Sequence, residues 1–350
     1  MMKTSGQVSS FYTVEHECPW LWVSPHSQPP LEGQHLYMGG VSPLLSTYSS
    51  AAARLLPARD SDRIMDGKYL TYHGLLCPKE NHSADSLKYF EEFQCRDDDV
   101  FIITYPKSGT TWMQEILPPL LSGGDLTAVT TLPNWERVPW LEETHAALLL
   151  DQRPSPRIIT SHMPLHLMPP SFLSSKAKAI YVTRDPRDVL VSSFYFHQMA
   201  SFLDDPGTFD EFIEKFLNGE VLLGKWTDHM KSWQKTDIAN RMMYVTYEEM
   251  IKDLKGVIGS LSRFLDRDLS DEVLEAVAKH GSFNSMKTNM MSNYSLVPQQ
   301  IMDTSKSSFL RKGIAGDWKN NFSPEQEAKF RAAIEEELEG SDVKLRWNEE

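Results

Sequence analysis

The sequence predicts an α/β fold in which a central parallel sheet is flanked by helices. Three observations carry that expectation. Short apolar runs of strand length alternate with segments of helical period. Several of the helical segments start at a capping residue and stop at glycine. One apolar run opens into TYPKSGTTW, residues 104–112, a glycine-containing loop of the kind that holds phosphate between a strand and a helix. Strand, helix and strand in succession imply a parallel sheet covered on both faces.

The strands are read at VFIITY (100–105), PRIITS (156–161), AIYVTR (179–184) and MMYVT (242–246), each a short apolar, β-branched run. A helix begins near Thr110. Asp185 with Pro186 makes an N-cap and first helical position leading into RDVLVSSFYFH. Thr208 and Glu211 form a capping box, and Gly219 closes that helix. A further helix runs from Ser270 to Gly281, and the last starts at Ser323 with Pro324 at its first position and Gln326 completing the box. Residues 286–310 lack clear periodicity and are expected to form a lid. There are no internal repeats.

The net charge of −13 excludes a general nucleic-acid binder or an anionic-membrane binder, since both need broad basic surface. Any anionic ligand must meet a local basic cluster. Cys18, Cys77 and Cys95 are sparse and odd in number, have no CxxC spacing, and fit a reducing compartment. No apolar run is long enough to span a bilayer, and no compact basic-then-apolar start marks a secretory signal. A cytoplasmic location is expected. Residues 1–62 are rich in Ser, Pro and Gly and read as a disordered extension. SSAAARLLPAR has the look of a transit peptide, but Glu15, Glu17 and Glu32 argue against one. Residues 63–350 read as a single domain.

The loop differs from the common nucleotide loop, because its lysine precedes the glycine instead of following it. Backbone amides there converge on one space, and the helix N-terminus adds positive potential. Gly109 lets the backbone approach an anion closely. Lys107 supplies a full charge, and Ser108, Thr110 and Thr111 supply hydroxyls.

This loop, together with RKGIAGDWKNNF (311–322), resembles the cytosolic sulfotransferases. The resemblance runs from about residue 65 to the C-terminus. It implies a P-loop-type three-layer fold. It also implies transfer of a sulfuryl group from 3′-phosphoadenosine 5′-phosphosulfate (PAPS) to a hydroxyl or amine of a small acceptor, with no metal. On the matching positions, Lys107 and the amides of Ser108, Gly109, Thr110 and Thr111 would hold the phosphosulfate. Arg184 and Ser192 would hold the 3′-phosphate, with Arg311, Lys312 and Gly313 as its second half and Phe309 and Leu310 beside them. Ser192 near Lys107 would restrain the lysine until an acceptor binds. Trp112, Tyr247, Ser282 and Phe283 match the adenine surfaces. His162, in IITSHMPL, matches the general base, and an unperturbed histidine suits that work near neutral pH.

Two positions depart from the family pattern. Thr160-Ser161 stands where Lys-Thr is frequent, and Gly281 where Thr is usual. His162 and His166 are not read as a metal pair, since Pro164 between them disfavours a helix. PNWERVPWLEE (133–143) is similar to the substrate loop of the alcohol and hydroxysteroid branch. Trp135, Trp140 and Phe194 are the candidate acceptor-binding residues, for an apolar acceptor such as a steroid, alcohol or phenol. The usual dimer segment carries Ser323, Pro324 and Ala328 here, so that homodimer contact is expected to be weak or absent. Two other readings stand beside this one. A P-loop kinase predicts a lysine after the last glycine and a magnesium-binding acid. A non-catalytic PAPS-binding protein predicts donor binding without transfer.

Overall fold

The four apolar runs pair side by side. A computed structural model describes residues 65–234, 238–343, 345 and 347; the expected extension at 1–62 lies outside them. Three short strands come first: β1 Met65–Asp66, β2 Tyr69–Tyr72 and β3 Leu75–Pro78, an antiparallel meander. The turn between β2 and β3 is His73-Gly74, both with positive φ (48° and 82°), the left-handed pair that a tight hairpin needs. The central sheet follows: β4 Val100–Thr104, β5 Ile158–Ser161, β6 Lys178–Thr183 and β7 Met242–Thr246. Its order is β5-β4-β6-β7, and every pairing is parallel.

All five residues of β4 are buried. Phe101 and Ile103 enter the core on one face of the sheet, and Val100 and Ile102 enter the core on the other. A strand that alternates between two cores must be apolar throughout, which is why the run showed no polar alternation. Helix Thr110–Leu121 follows β4, and helix Pro186–Met199 follows β6.

The caps stand where the sequence put them. Asp185 accepts from the Arg187 amide, Thr208 and Glu211 close a reciprocal box, and Ser323 with Gln326 closes another. Gly219 ends its helix at φ 77°. Gly281 also ends a helix, but at φ −73°, a conformation open to any residue. No helix among the described residues is long and apolar enough to cross a membrane.

At the end of the sheet opposite the glycine loop, β4 and β5 are tied by a buried charged pair. Arg157 donates to both oxygens of Asp99, at 2.9 and 2.7 Å, and both side chains are buried. The pair joins the residues that lead into β4 and β5. Removing one member leaves the other charged and buried, which costs about 3–5 kcal/mol. Asp99→Ala should therefore lower the unfolding free energy read from urea titration by that margin, and an unchanged value would show that the pair contributes nothing net.

Candidate active site

The carboxyl edge of the parallel sheet collects the candidate residues, as open parallel sheets do for ligands. β4 ends at Thr104, the chain turns through Lys107 (φ 70°) and Gly109 (φ 115°), and the next helix starts at Thr110. Gly109 is required twice over. Its φ lies in the left-handed region, and a Cβ would sit 3.2 Å from the Tyr247 ring. Ser108 is fully buried, and its hydroxyl has no partner.

Lys107 is half-buried, but its ammonium sits between two rings, 4.0 Å from the centroid of Phe196 and 4.2 Å from that of Phe309. Burial, with Arg184 and Arg311 nearby, brings its pKa down to about 7. Ser192 and Arg311 line the same cleft. The Arg184 guanidinium donates to the Lys107 carbonyl at 3.2 Å and lies 4.0 Å over the Tyr247 ring, while its Nε is buried without a partner. Arg311 and Lys312 both pair with Asp317. Gly313 (φ 65°) lies flat on Phe283, where a Cβ would fall 2.1 Å from the ring. Ser282 caps the helix Phe283–Thr288. Trp112 meets Tyr247 edge-on, with centroids 5.3 Å apart, and donates to the Gly281 carbonyl at 2.7 Å. That bond uses backbone only, so the glycine departure leaves it intact. Leu310 is half-buried beside Phe309.

The ring of His162 is fixed at both nitrogens. Nδ1 donates to the Thr104 carbonyl at 2.8 Å, and Nε2 accepts from the indole N–H of Trp140 at 2.8 Å. Its backbone N–H donates to Glu142 Oε1 at 2.7 Å. Burial lowers its pKa to about 4, and His82 and Lys107 push in the same direction. The burial of the ring thus favours the neutral imidazole near pH 7. Thr104 ties this ring to the glycine loop, because its hydroxyl lies 2.7 Å from that of Thr110.

Thr160 spends its hydroxyl on the fold. It takes a hydrogen bond from Gln114 at 3.1 Å in the interior, where the family often has lysine. Trp135 meets Tyr294 at 5.3 Å, and Tyr294 in turn lies 3.9 Å from Phe309; of residues 286–310, Ser307, Ser308 and Phe309 line the cleft. Phe194 is not brought to this site. It packs edge-on against Phe209 and Phe212, 5.2 and 5.6 Å away, in the core. Phe196, two residues on, is the aromatic that reaches Lys107, because half a helical turn reverses the face.

Sequence reasoning missed Thr104, Phe196, Glu142 and His82. Glu142 is buried, with one oxygen unpartnered and its pKa raised to about 7 by burial. His82 is buried with Nε2 unpartnered. The PWLEE run could have drawn attention to Glu142, since an acid in an apolar loop seldom lacks a partner. Nothing local marks His82. Among the described residues, no group of three His, Cys, Asp or Glu side chains is placed to hold a metal ion.

A glycine loop between strand and helix at the carboxyl edge of a parallel sheet, with Lys107 and Arg311 lining the cleft beside it, marks a P-loop-type fold. Comparison with known proteins narrows the class. The sulfotransferase domain family matches residues 97–342. Mouse (Mus musculus) sulfotransferase 2B1 is 46% identical over 275 residues, covering 78% of this chain and 81% of that one. The 3-beta-hydroxysteroid sulfotransferase of Cavia porcellus is 40% identical, covering 81% of this chain and 100% of its own. Retinol dehydratase, solved with androsterone and the inactive cofactor PAP, matches with a TM-score of 0.69 at 26% identity over 79% of this chain and 91% of that one. Mouse sulfotransferase SULT7A1, solved with PAP, gives 0.66 at 29% identity over 78% and 95%. The chain belongs to the sulfotransferase family and is a sulfotransferase enzyme.

The packing around Lys107 sets a measurable value. Its ammonium should titrate near pH 7, and Phe196→Ala, which admits water, should move the midpoint up toward 10.5. Nitrogen NMR of labelled lysine side chains reads this directly. A midpoint already near 10.5 in the native protein would show the ring contacts to be absent in solution.

Proposed function

We propose that the protein transfers a sulfuryl group from PAPS to a hydroxyl, or an amine, of a small apolar acceptor such as a steroid, alcohol or phenol, with His162 as general base. The observation that carries this reading is Thr104. One residue holds the ring of His162 through its carbonyl and the first turn of the phosphate loop through its hydroxyl. The base and the anion cradle are thereby fixed to a single strand end.

The donor fits what the cleft offers. Ser108 Oγ and Arg184 Nε are buried and lack partners, and both are donors suited to phosphate oxygens. Trp112, Tyr247 and Phe283 offer flat apolar surfaces for a base. PAPS supplies a sulfuryl group already activated by its phosphate leaving group. Lys107 and the loop amides stabilise charge on the leaving oxygen. His162, neutral and oriented by Thr104, accepts the proton of the attacking hydroxyl at Nε2. Anionic charge at Lys107 favours the charged form of both Lys107 and His162, so donor binding raises both pKa values. The in-line geometry requires no covalent enzyme intermediate. Arg311 with Gly313 serves the 3′-phosphate, and Ser192 shares the cleft of Lys107.

The domain is 63–350 in this reading, and a cytoplasmic location accords with the free thiols of Cys77 and Cys95. The steroid preference rests on the relatives named above. The kinase reading is weaker, since Lys107 lies outside the helix that a Walker lysine enters.

The test is transfer from labelled donor to a panel of steroids, alcohols, phenols and amines. The native enzyme should label at least one class, and His162→Ala should lose about 100-fold or more of the rate. Full activity in that variant removes His162 as base, and magnesium-dependent transfer from ATP instead would favour the kinase. Ser323 is occupied as a helix cap with Pro324 behind it, and light scattering should accordingly give a monomer mass. A dimer lost on altering Ser323, Pro324 and Ala328 would reverse that expectation.

A further inference from the structure

His162 has one lone pair to offer, and the structure shows it in use. Nδ1 faces a carbonyl oxygen at 2.8 Å, which only accepts, so Nδ1 carries the proton. Nε2 is then unprotonated. The group 2.8 Å from it is an indole N–H, which only donates. The tautomer is fixed from both sides. The rings are tilted by 44° with centroids 6.1 Å apart, so the contact is a hydrogen bond and not a stack.

The backbone of Trp140 is itself pinned. The Leu141 amide donates to the Thr160 carbonyl, and the Thr160 amide donates to the Pro139 carbonyl, both at 2.9 Å. Freeing Nε2 therefore takes rotation of the indole and leaves the loop in place. An acceptor hydroxyl that gives its proton to Nε2 must first replace the indole there, because one lone pair takes one strong donor. Water faces the same barrier, and water lacks an apolar body with which to displace a tryptophan.

We propose that Trp140 is a positioning residue that caps the base until an acceptor arrives, and so protects the sulfuryl donor from hydrolysis. The proposal rests on His162 acting as the base. With the cap removed, a water held at Nε2 attacks sulfur. A new oxygen–sulfur bond forms, the bond from sulfur to the donor's bridging oxygen breaks, and the water proton passes to Nε2. The products are sulfate and the 3′,5′-bisphosphate. The cap also sets selectivity. An acceptor must bring enough apolar bulk to move the indole while its own O–H reaches the vacated nitrogen.

The experiment needs no acceptor. Sulfate release from labelled PAPS is followed in native protein, Trp140→Phe, His162→Ala and the double variant. Trp140→Phe should release sulfate roughly tenfold faster than native, the equivalent of one neutral hydrogen bond. The double variant should fall back to the native rate or below. A protein with 3-benzothienylalanine at position 140 keeps the ring shape, lacks the N–H, and should behave as Trp140→Phe does. Unchanged sulfate release in both single replacements at 140 overturns the cap while leaving the base assignment standing. Faster release that persists in the double variant also overturns it, since the effect would then bypass His162. If His162→Ala keeps full transfer to the panel acceptors, the base reading fails, and the cap fails with it.

Discussion

The functional end of this protein depends on one strand register. β4 and β5 run parallel with Ile103 opposite Ser161, so the next residue on each strand, Thr104 and His162, leave the sheet side by side. Thr104 then offers its carbonyl to Nδ1 of the ring and its hydroxyl to Thr110. A slip of one residue would turn every side chain of β5 to the other face and separate ring from carbonyl. The buried Arg157–Asp99 pair at the other end of the same strands opposes that slip. The placement of the His162 ring is thus a property of sheet pairing, enforced by apolar burial on both faces.

The second constraint is charge. The chain is acidic overall, yet three cations meet in one cleft, and each is held by something the fold provides. Arg184 is 3.8 Å from Asp188, Arg311 pairs with Asp317, and Lys107 rests on aromatic rings without a carboxylate. Asp188 also accepts the amides of Gly316 and Trp318, at 2.6 and 2.8 Å, which ties the RKG loop to helix Pro186–Met199. A dianionic ligand can compete for these cations because their present partners are shared. Lys107 has the least to lose on exchange, since burial and the neighbouring Arg184 and Arg311 depress its pKa.

Much of this was legible because it is local. Four strands and the capped helices follow from β-branched runs and cap chemistry within a few residues, and the loop announces itself by strand, glycine and helix in order. The meander of β1–β3 was not foreseen, since four-residue strands carry too little pattern to stand out. Phe194 was misplaced because a motif fixes a helix but not which face of it meets the ligand. The low pKa of His162 and the roles of Glu142 and His82 depend on burial by segments about 20 and 80 residues away in the chain, which no window on the sequence contains.

The early puzzle of the lysine ahead of the glycine resolves in the same terms. A lysine after the glycine would lie within the first turn of helix Thr110–Leu121 and project along that helix. Placed at Lys107, with positive φ, the side chain crosses to the helix that follows β6 and meets Phe196 there. It also meets Phe309, whose ring rests on Tyr294, which meets Trp135 in the short helix just before Trp140. A continuous run of ring contacts therefore joins Lys107 to the segment that carries Trp140. The displaced lysine is what gives that chain its first link.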